Sequence, residues 1–109
     1  MKTAELIPPL LDYWALKAEG RTHDNYLQEF WQRFETGDIA CPSRDWRCGG
    51  PIIERFDYLL PYKSPGHLLH LGAYTAQTPG GFEYSGPTPL VAAMRAFVAA
   101  RLGEEVPDL

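Results

Sequence analysis

The chain has few of the features that mark secreted, membrane or nucleic-acid-binding proteins. It contains only two cysteines, too few for a disulfide scaffold, and we expect both to be free thiols in a reducing compartment. No positively charged leader opens it, and no apolar run approaches the ~20 residues of a membrane span. A net charge of −4 disfavours general nucleic-acid binding, which needs a basic surface. These absences predict a soluble, cytoplasmic protein.

The residues that are present predict one domain, 1–109. Hydrophobic residues make up 45% of the chain and aromatic residues 13%, which is ample for a core. A length of 109 residues leaves too little core for two domains. Ten glycines and ten prolines indicate turns and shaped loops rather than a plain helical bundle.

Two helices are predicted in the first third of the chain. Pro8-Pro9 suits the opening turn of the first, and Gly20 suits its end. Asp24 is a candidate cap for the second, which is predicted to run to Glu35 and to close at Gly37. Both have an apolar face at helical spacing, which in the second is heavily aromatic.

A third helix has the clearest signals. Thr88 suits the N-cap, Pro89 the first helical position and Gly103 the C-terminal end. Its apolar face is formed by Leu90, Met94, Phe97, Val98 and Leu102. Residues 104–109 are predicted to form a frayed acidic tail.

Strands are predicted between the second and third helices. Residues 52–60 are interpreted as a buried strand that follows a Gly-Gly-Pro loop, and residues 67–77 as a second strand. Residues 78–81 are typical of a hairpin turn into a third strand at 82–84. The predicted fold is α+β, with a small antiparallel sheet of about three or four strands packed with about two or three helices.

The segment 41–55 holds the candidate ligand site. Trp46 offers a flat face for stacking, while Arg44, Arg47 and Arg55 carry the fork geometry that suits phosphate oxygens. The Gly49-Gly50 pair and the opening of the third helix at Thr88 are candidates to present N–H groups to an anion. The predicted ligand-binding residues are Ser43, Asp45, Trp46, Gly49, Gly50, Arg55, Thr88 and Arg95.

Five of these residues also have a purely structural interpretation. Trp46 is then a core residue, Asp45 caps a turn and Arg55 forms an ion pair. Thr88 is explained by the helix start alone, and Arg95, off the apolar face, is more typical of a solvated or salt-bridged residue.

The aromatic stripe of the second helix is predicted to pack inside the protein. Its alternative is a partner surface that includes Phe30 and Trp31, because aromatic residues are enriched in interface cores. Such a surface would serve a host protein or a second copy of the chain.

Neither a metal site nor catalysis is predicted. His67 and His70 would point to opposite faces of a strand, and zinc needs three or four ligands. Ser43 lacks the sequence of a nucleophile elbow, and no cysteine–histidine or carboxylate pair stands out. We expect a non-enzymatic protein with no cofactor.

Two long motifs resemble one family. They are Pro42-Ser43-x-Asp45-Trp46-x-x-Gly49-Gly50-Pro51-Ile52-Ile53-Glu54-Arg55 and Gly86-Pro87-Thr88-Pro89-Leu90-Val91-Ala92-Ala93-Met94-Arg95. Together with the opening Lys2-Thr3-Ala4-Glu5-Leu6 they are similar to the NinX-like proteins of lambdoid and related phages. Residues 23–34 and 56–84 match no pattern of that family. The resemblance implies a phage accessory protein without an established activity.

The leading hypothesis is a phage protein that binds and sequesters a small anionic ligand of the nucleotide type, in cyclic or linear form, such as a host defence signal. The first alternative is an interaction module that inhibits a host protein. The second is a structural accessory protein with no ligand. Homo-oligomerisation is compatible with each of them.

Overall fold

The computed structural model describes residues 1–22 and 26–108. The helices are α1 (Leu10–Ala18), α2 (Tyr26–Thr36), α3 (Trp46–Arg55) and α4 (Pro89–Leu102), and the strands are β1 (Tyr62–Lys63), β2 (Tyr74–Gln77) and β3 (Glu83–Gly86). The strands form one antiparallel sheet in the order β1-β2-β3. The α+β class is confirmed, but the described residues form four helices, where two or three were predicted.

The helix α4 is the centre of the fold. Thr88 caps it as predicted, since its hydroxyl oxygen accepts the Val91 N–H at 3.2 Å, and Pro89 occupies the first helical position. Every residue from Leu90 to Val98 is buried. The predicted single apolar face is therefore incomplete, because α4 is covered on several sides by α1, the sheet and the N-terminal segment.

The helix α1 also has its predicted ends. It starts directly after Pro8-Pro9, and Gly20 adopts a φ of +77° beyond its C-terminal end, a conformation that favours glycine. Its residues Leu11 to Leu16 are buried, and the helix packs against α4. No described helix is long and apolar enough to cross a membrane.

The helix α2 rests on α1 through aromatic rings. Tyr13 of α1 meets Phe30 edge-on, with ring centroids 5.4 Å apart. Phe30 is fully buried, so it cannot offer its side chain to a partner, whereas Trp31 keeps 37% of its surface. Gly37 closes the helix with a φ of +77°, as predicted. The predicted cap, Asp24, lies outside the described residues.

Residues 46–55 form the helix α3, so the predicted strand at 52–60 is wrong. Asp45 caps α3, because its Oδ1 accepts the Arg47 N–H at 2.9 Å. Gly49 lies where α3 meets α4, and a Cβ there would come within 2.7 Å of Leu90 Cδ2. Glycine is therefore a packing requirement inside a helix rather than the mark of a loop. Pro51 is accommodated on the exposed side of α3.

The sheet follows α3 through short irregular segments. The predicted strand at 67–77 is correct only from Tyr74, because Gly66–Leu71 form an exposed 3-10 helix. The hairpin turn at 78–81 is confirmed, with the Thr78 N–H donating to the Phe82 carbonyl oxygen at 2.9 Å. The third strand is Glu83–Gly86, two residues longer at its end than predicted.

The N-terminal segment packs against α4 and pairs with the C-terminal tail. Near the C-terminal end of α4, the Thr3 hydroxyl donates to the Gly103 carbonyl oxygen at 2.7 Å. The Val106 N–H donates to the Met1 carbonyl oxygen at 2.9 Å, and Val106 is buried. The predicted frayed tail is therefore wrong as far as residue 106, because the tail is held against the N-terminal segment.

Candidate functional site

The starts of α3 and α4 border one groove of about 440 Å³. Its lining residues are Pro8, Ser43, Arg44, Trp46, Pro87, Thr88, Pro89, Leu90 and Val91. The groove therefore joins both long motifs of the sequence with the proline that precedes α1. Four of the residues singled out from the sequence, Ser43, Arg44, Trp46 and Thr88, lie together here.

Trp46 is the most exposed large side chain of the groove. It is the first residue of α3, next to the cap Asp45, and 56% of its surface is accessible. One side of the indole lies over Gly50, whose absent Cβ would be 3.8 Å from Trp46 Cε3. The interpretation of Trp46 as a core residue is therefore wrong.

Asp12 organises the polar wall of the groove. This fully buried carboxylate accepts hydrogen bonds from the Ser43 N–H at 2.8 Å and the Ser43 hydroxyl at 2.6 Å. It also accepts from Arg44, whose Nε and Nη2 lie 3.2 and 3.1 Å from Oδ2. Asp12 was not predicted from the sequence, where its one signal is a carboxylate inside the apolar first helix.

Arg44 provides a cationic side chain at the rim, although its charge is partly neutralised by Asp12. Its guanidinium lies 5.6 Å from the centre of the Phe34 ring, and Nη2 is 3.0 Å from the Cys41 sulfur. Burial, and then the Asp12 carboxylate, raise the pKa of the Cys41 thiol above its ordinary value. Cys41 and Cys48 are both free thiols, as expected.

The first turn of α4 presents fewer N–H groups than the sequence suggested. Pro89 has none, the Val91 N–H is bonded to the Thr88 hydroxyl oxygen, and the Ala92 N–H to the Thr88 carbonyl oxygen. Leu90 is the one residue of this turn whose N–H has no partner among the described residues. The positive end of the helix dipole adds to its attraction for an anion.

Asp45 and Arg47 form an exposed pair beside the groove. The Arg47 N–H, and then the Arg47 side chain at 3.2 Å, hold the pKa of the Asp45 carboxyl below its ordinary value. The Arg47 side chain extends into solvent. Neither residue lines the groove.

Three further predicted residues lie elsewhere than in the groove. Gly49 is buried and its N–H donates to the Asp45 carbonyl oxygen at 2.9 Å, so it is not an anion-binding loop group. Gly50 lies beneath the Trp46 ring and does not line the groove. Arg55 forms the predicted kind of ion pair, with Glu19 at 2.6 Å.

Arg95 is neither solvated nor salt-bridged, contrary to prediction. It is 8% exposed, and its Nε donates to the Leu6 carbonyl oxygen at 2.8 Å and its Nη1 to the Ser85 carbonyl oxygen at 2.7 Å. Burial lowers the pKa of this guanidinium. Leu6 and Ser85 each stand two residues before a proline of the groove, Pro8 and Pro87. Arg95 therefore connects the two backbone segments that lead to Pro8 and Pro87 of the groove.

His67 and His70 do not lie on a strand, so the predicted placement of the two on opposite faces is wrong. Both lie on a 3-10 helix, where residues three apart are on the same side, and both are exposed. Within residues 1–22 and 26–108, no three histidine, cysteine or acidic side chains approach closely enough to hold a metal ion.

Comparison with known proteins identifies the family. The sequence model of the family described as bacteriophage P22 NinX matches residues 2–101, and the chain therefore belongs to that family. The match includes residues 23–34 and 56–84, which the resemblance in the motifs had left out. A search of the curated proteins finds no match.

Proposed function

We propose that this NinX family protein binds a small anionic ligand of the nucleotide type in the groove beside Trp46, and that it holds this ligand without reacting with it. The observation that carries the proposal is an exposed indole at the rim of a groove of about 440 Å³, a size that fits a small molecule. Large indoles are usually well buried in a folded protein, so an exposed one beside a groove calls for an explanation.

The Trp46 indole supplies the stacking surface. A base that stacks on an aromatic side chain gains ~1–3 kcal/mol. Pro8, Pro87 and Pro89 line the groove with rigid apolar surface, which suits the flat ring of a base better than a flexible chain.

The anionic part of the ligand has three candidate donors along the groove. Arg44 is held by Asp12 but its guanidinium is partly exposed, so N–H groups remain for a phosphate oxygen. The Thr88 hydroxyl and the Leu90 N–H lie where the dipole of α4 is positive. Because Arg44 is already paired, the groove favours a ligand with one or two negative charges over a highly charged one.

Binding without reaction is supported by the way the polar groups are used. The Ser43 hydroxyl donates a hydrogen bond to the Asp12 carboxylate at 2.6 Å, and that carboxylate also accepts one from Arg44. An acceptor engaged in this way positions the groove wall instead of serving as a general base. In a phage protein, tight binding of a host nucleotide signal would remove that signal from its receptor.

Isothermal titration with a panel of linear and cyclic mononucleotides and dinucleotides tests this function. We expect one class to bind with a 1:1 stoichiometry, and Trp46→Ala to weaken it by about tenfold or more, as expected from the loss of stacking. Trp31→Ala removes an exposed indole of α2 outside the groove and is the matched control. An absence of heat with every nucleotide, from folded protein, would contradict the proposal.

The helix α2 supports a second candidate function, inhibition of a host protein. Tyr26 and Phe30 are its only buried residues, and Trp31 stands on its outer side. Trp31 is also held edge-on against Phe34, with ring centroids 5.9 Å apart, so it is a rigid anchor for a partner.

Two binding assays, one for nucleotides and one for a host protein, distinguish the two proposed functions. Trp31→Ala should weaken the capture of a host partner while Trp46→Ala leaves it unchanged, and the nucleotide assay should give the reverse order. Far-ultraviolet circular dichroism of both variants provides the control for folding.

A further inference from the structure

Two adjoining grooves lie at the C-terminal end of α4, away from its N-terminal end at the Trp46 groove. The first, of about 340 Å³, lies between the β2–β3 hairpin and the last turn of α4. The second, of about 220 Å³, lies between the N-terminal segment and the C-terminal tail. Tyr84 and Glu104 line both, so we call the two together the Tyr84 grooves.

Tyr84 has a hydroxyl that the described residues do not satisfy. The residue is nine-tenths buried, and its oxygen forms no hydrogen bond with any group in the described part of the chain. This oxygen is not among the enclosed atoms that lack a partner, so it is accessible from the grooves that Tyr84 lines. Because Tyr84 lines both grooves, its oxygen is available to a donor that enters them.

The charges around the first groove favour a cation. Glu104 lines it, and the Ala100 carbonyl oxygen in the last turn of α4 accepts no hydrogen bond from the described residues. The negative end of the helix dipole lies at the same place. Burial, and then the Glu104 carboxylate, raise the pKa of Tyr84, in agreement with a negative local field. Lys2 and Glu105 both line the second groove, and their opposite charges offset each other there. The first groove is therefore the better place for a cation.

Phe82 adds an aromatic face to the first groove. It is 64% exposed, and its ring packs over Gly80, 3.4 Å from the position of the missing Cβ. The ring is therefore held in place while much of its surface remains open. A cation over such a ring gains ~0.5–1 kcal/mol at an exposed site.

We propose that the Tyr84 grooves bind the guanidinium group of an arginine side chain from a protein partner. A planar guanidinium stacks on a ring and forks onto a carboxylate, so Phe82 and Glu104 suit it better than a compact ammonium. The second groove continues from the first through Tyr84 and gives room for the flanking peptide backbone. The net charge of −4 favours a basic partner.

An NMR titration of the nitrogen-15-labelled full chain with the capped peptide acetyl-Gly-Arg-Gly-amide tests this proposal. We expect shifts in the amides of residues 78–84 and 99–105, while those around Trp46 stay unchanged. The same peptide with uncharged citrulline in place of arginine should bind about fivefold more weakly or worse. Equal binding of the two peptides, or no shifts in these amides, would overturn the proposal.

Substitutions of single residues test whether the arginine peptide binds in the first groove. Glu104→Gln should weaken arginine peptide binding by about two- to fivefold, and Phe82→Leu should also weaken it. Glu83→Gln is the matched control, because this neighbouring carboxylate points to the other face of β3, 3.4 Å from the Tyr62 hydroxyl. If Glu83→Gln weakens peptide binding as much as Glu104→Gln, the loss of affinity follows from net charge alone, and the assignment of the binding site is wrong.

Free agmatine distinguishes the source of the guanidinium. We expect it to bind more weakly than the capped peptide, because it lacks the backbone that would occupy the second groove. Equal or tighter binding of agmatine would overturn the assignment to a protein partner. None of these measurements involves the Trp46 groove, so they are independent of the nucleotide proposal.

Discussion

Arg95 Nη1 donates a 2.7 Å hydrogen bond to the carbonyl oxygen of Ser85, which connects the central helix to the edge strand. The same guanidinium donates through Nε to the Leu6 carbonyl oxygen at 2.8 Å. One buried cation thus joins three parts of the chain, α4, β3 and the N-terminal segment. Since both carbonyls are two residues away from prolines of the Trp46 groove, Arg95 sets the spacing of the groove walls without lining them.

Arg95→Lys should destabilise the protein by about 2 to 3 kcal/mol, because an ammonium on a different stem cannot donate to both carbonyls, and hydrogen bonds to charged groups contribute roughly 1.5–3 kcal/mol each. Urea unfolding followed by circular dichroism measures this loss. Arg33→Lys, in an exposed i,i+4 pair with Glu29, is the control and should cost less than about 0.5 kcal/mol. Equal losses for the two would show that Arg95 has no bridging role.

Gly49→Ala and Gly50→Ala should have opposite effects. A Cβ at Gly49 would collide with the Pro42 carbonyl oxygen and come within 2.7 Å of Leu90 Cδ2, so α3 would be pushed away from α4. We expect a loss of about 3 kcal/mol or more. At Gly50 the new Cβ has room, and alanine in a helix should gain up to about 1 kcal/mol. Thermal unfolding of the two variants measures the difference, and similar melting temperatures would contradict the packing of α3 on α4.

Asp12→Asn should loosen the polar wall of the Trp46 groove. The new amide keeps one acceptor oxygen for Ser43 but turns a donor towards Arg44, so we expect a loss of about 2–4 kcal/mol. Affinity for the nucleotide ligand should fall as well, because Arg44 is no longer held at the rim. Urea unfolding and titration calorimetry measure the two effects. The exposed Asp38→Asn variant should change neither quantity.

The cap of α3 should depend on pH through Asp45. Its pKa is lowered in the folded protein from the ordinary value of 3.8, mainly by the Arg47 N–H. A lowered pKa means that the carboxylate stabilises the fold above its unfolded pKa and that this contribution disappears as the pH falls through the folded value. The stability difference between the native chain and Asp45→Ala should therefore be constant near neutrality and shrink below about pH 4. A difference that stays constant to about pH 2 would contradict this role of the cap.

The helix ends were the most predictable part of the fold because their signals are local. Thr88 and Pro89 at the start of α4, and Gly20 after α1, act within one turn of the chain, and the structure has each in its predicted place. The hairpin at residues 78–81 was predictable for the same reason. Its hydrogen bonds join neighbours in sequence.

The helix α3 was mispredicted because Gly49 serves a contact that the local sequence does not reveal. Gly49 and Pro51 each disfavour a helix by intrinsic propensity. Gly49 is nevertheless required by the approach of α4, a partner some forty residues away, and the Asp45 cap favours the start of the helix. In this case tertiary packing overrides local preference.

The groove was only partly predictable. The motif predicted Trp46 as a stacking surface and the involvement of Thr88, and both line the groove, but it did not predict that Trp46 begins a helix. The roles of Asp12 and Arg95 could not, since both depend on hydrogen bonds to groups at least ten residues away in sequence. A charged residue in an apolar helix indicates that the residue has a buried partner, but the sequence does not show which group that partner is.

The bridge from Arg95 to Leu6 and Ser85 also engages an edge strand of the sheet, β3. The other edge, β1, is two residues long and is preceded by Pro61, so it offers little for another strand to pair with. At the β3 edge, the Ser85 carbonyl oxygen accepts a hydrogen bond from Arg95, which also holds Leu6. If this bridge were lost, that carbonyl oxygen would be free to accept a hydrogen bond from another chain.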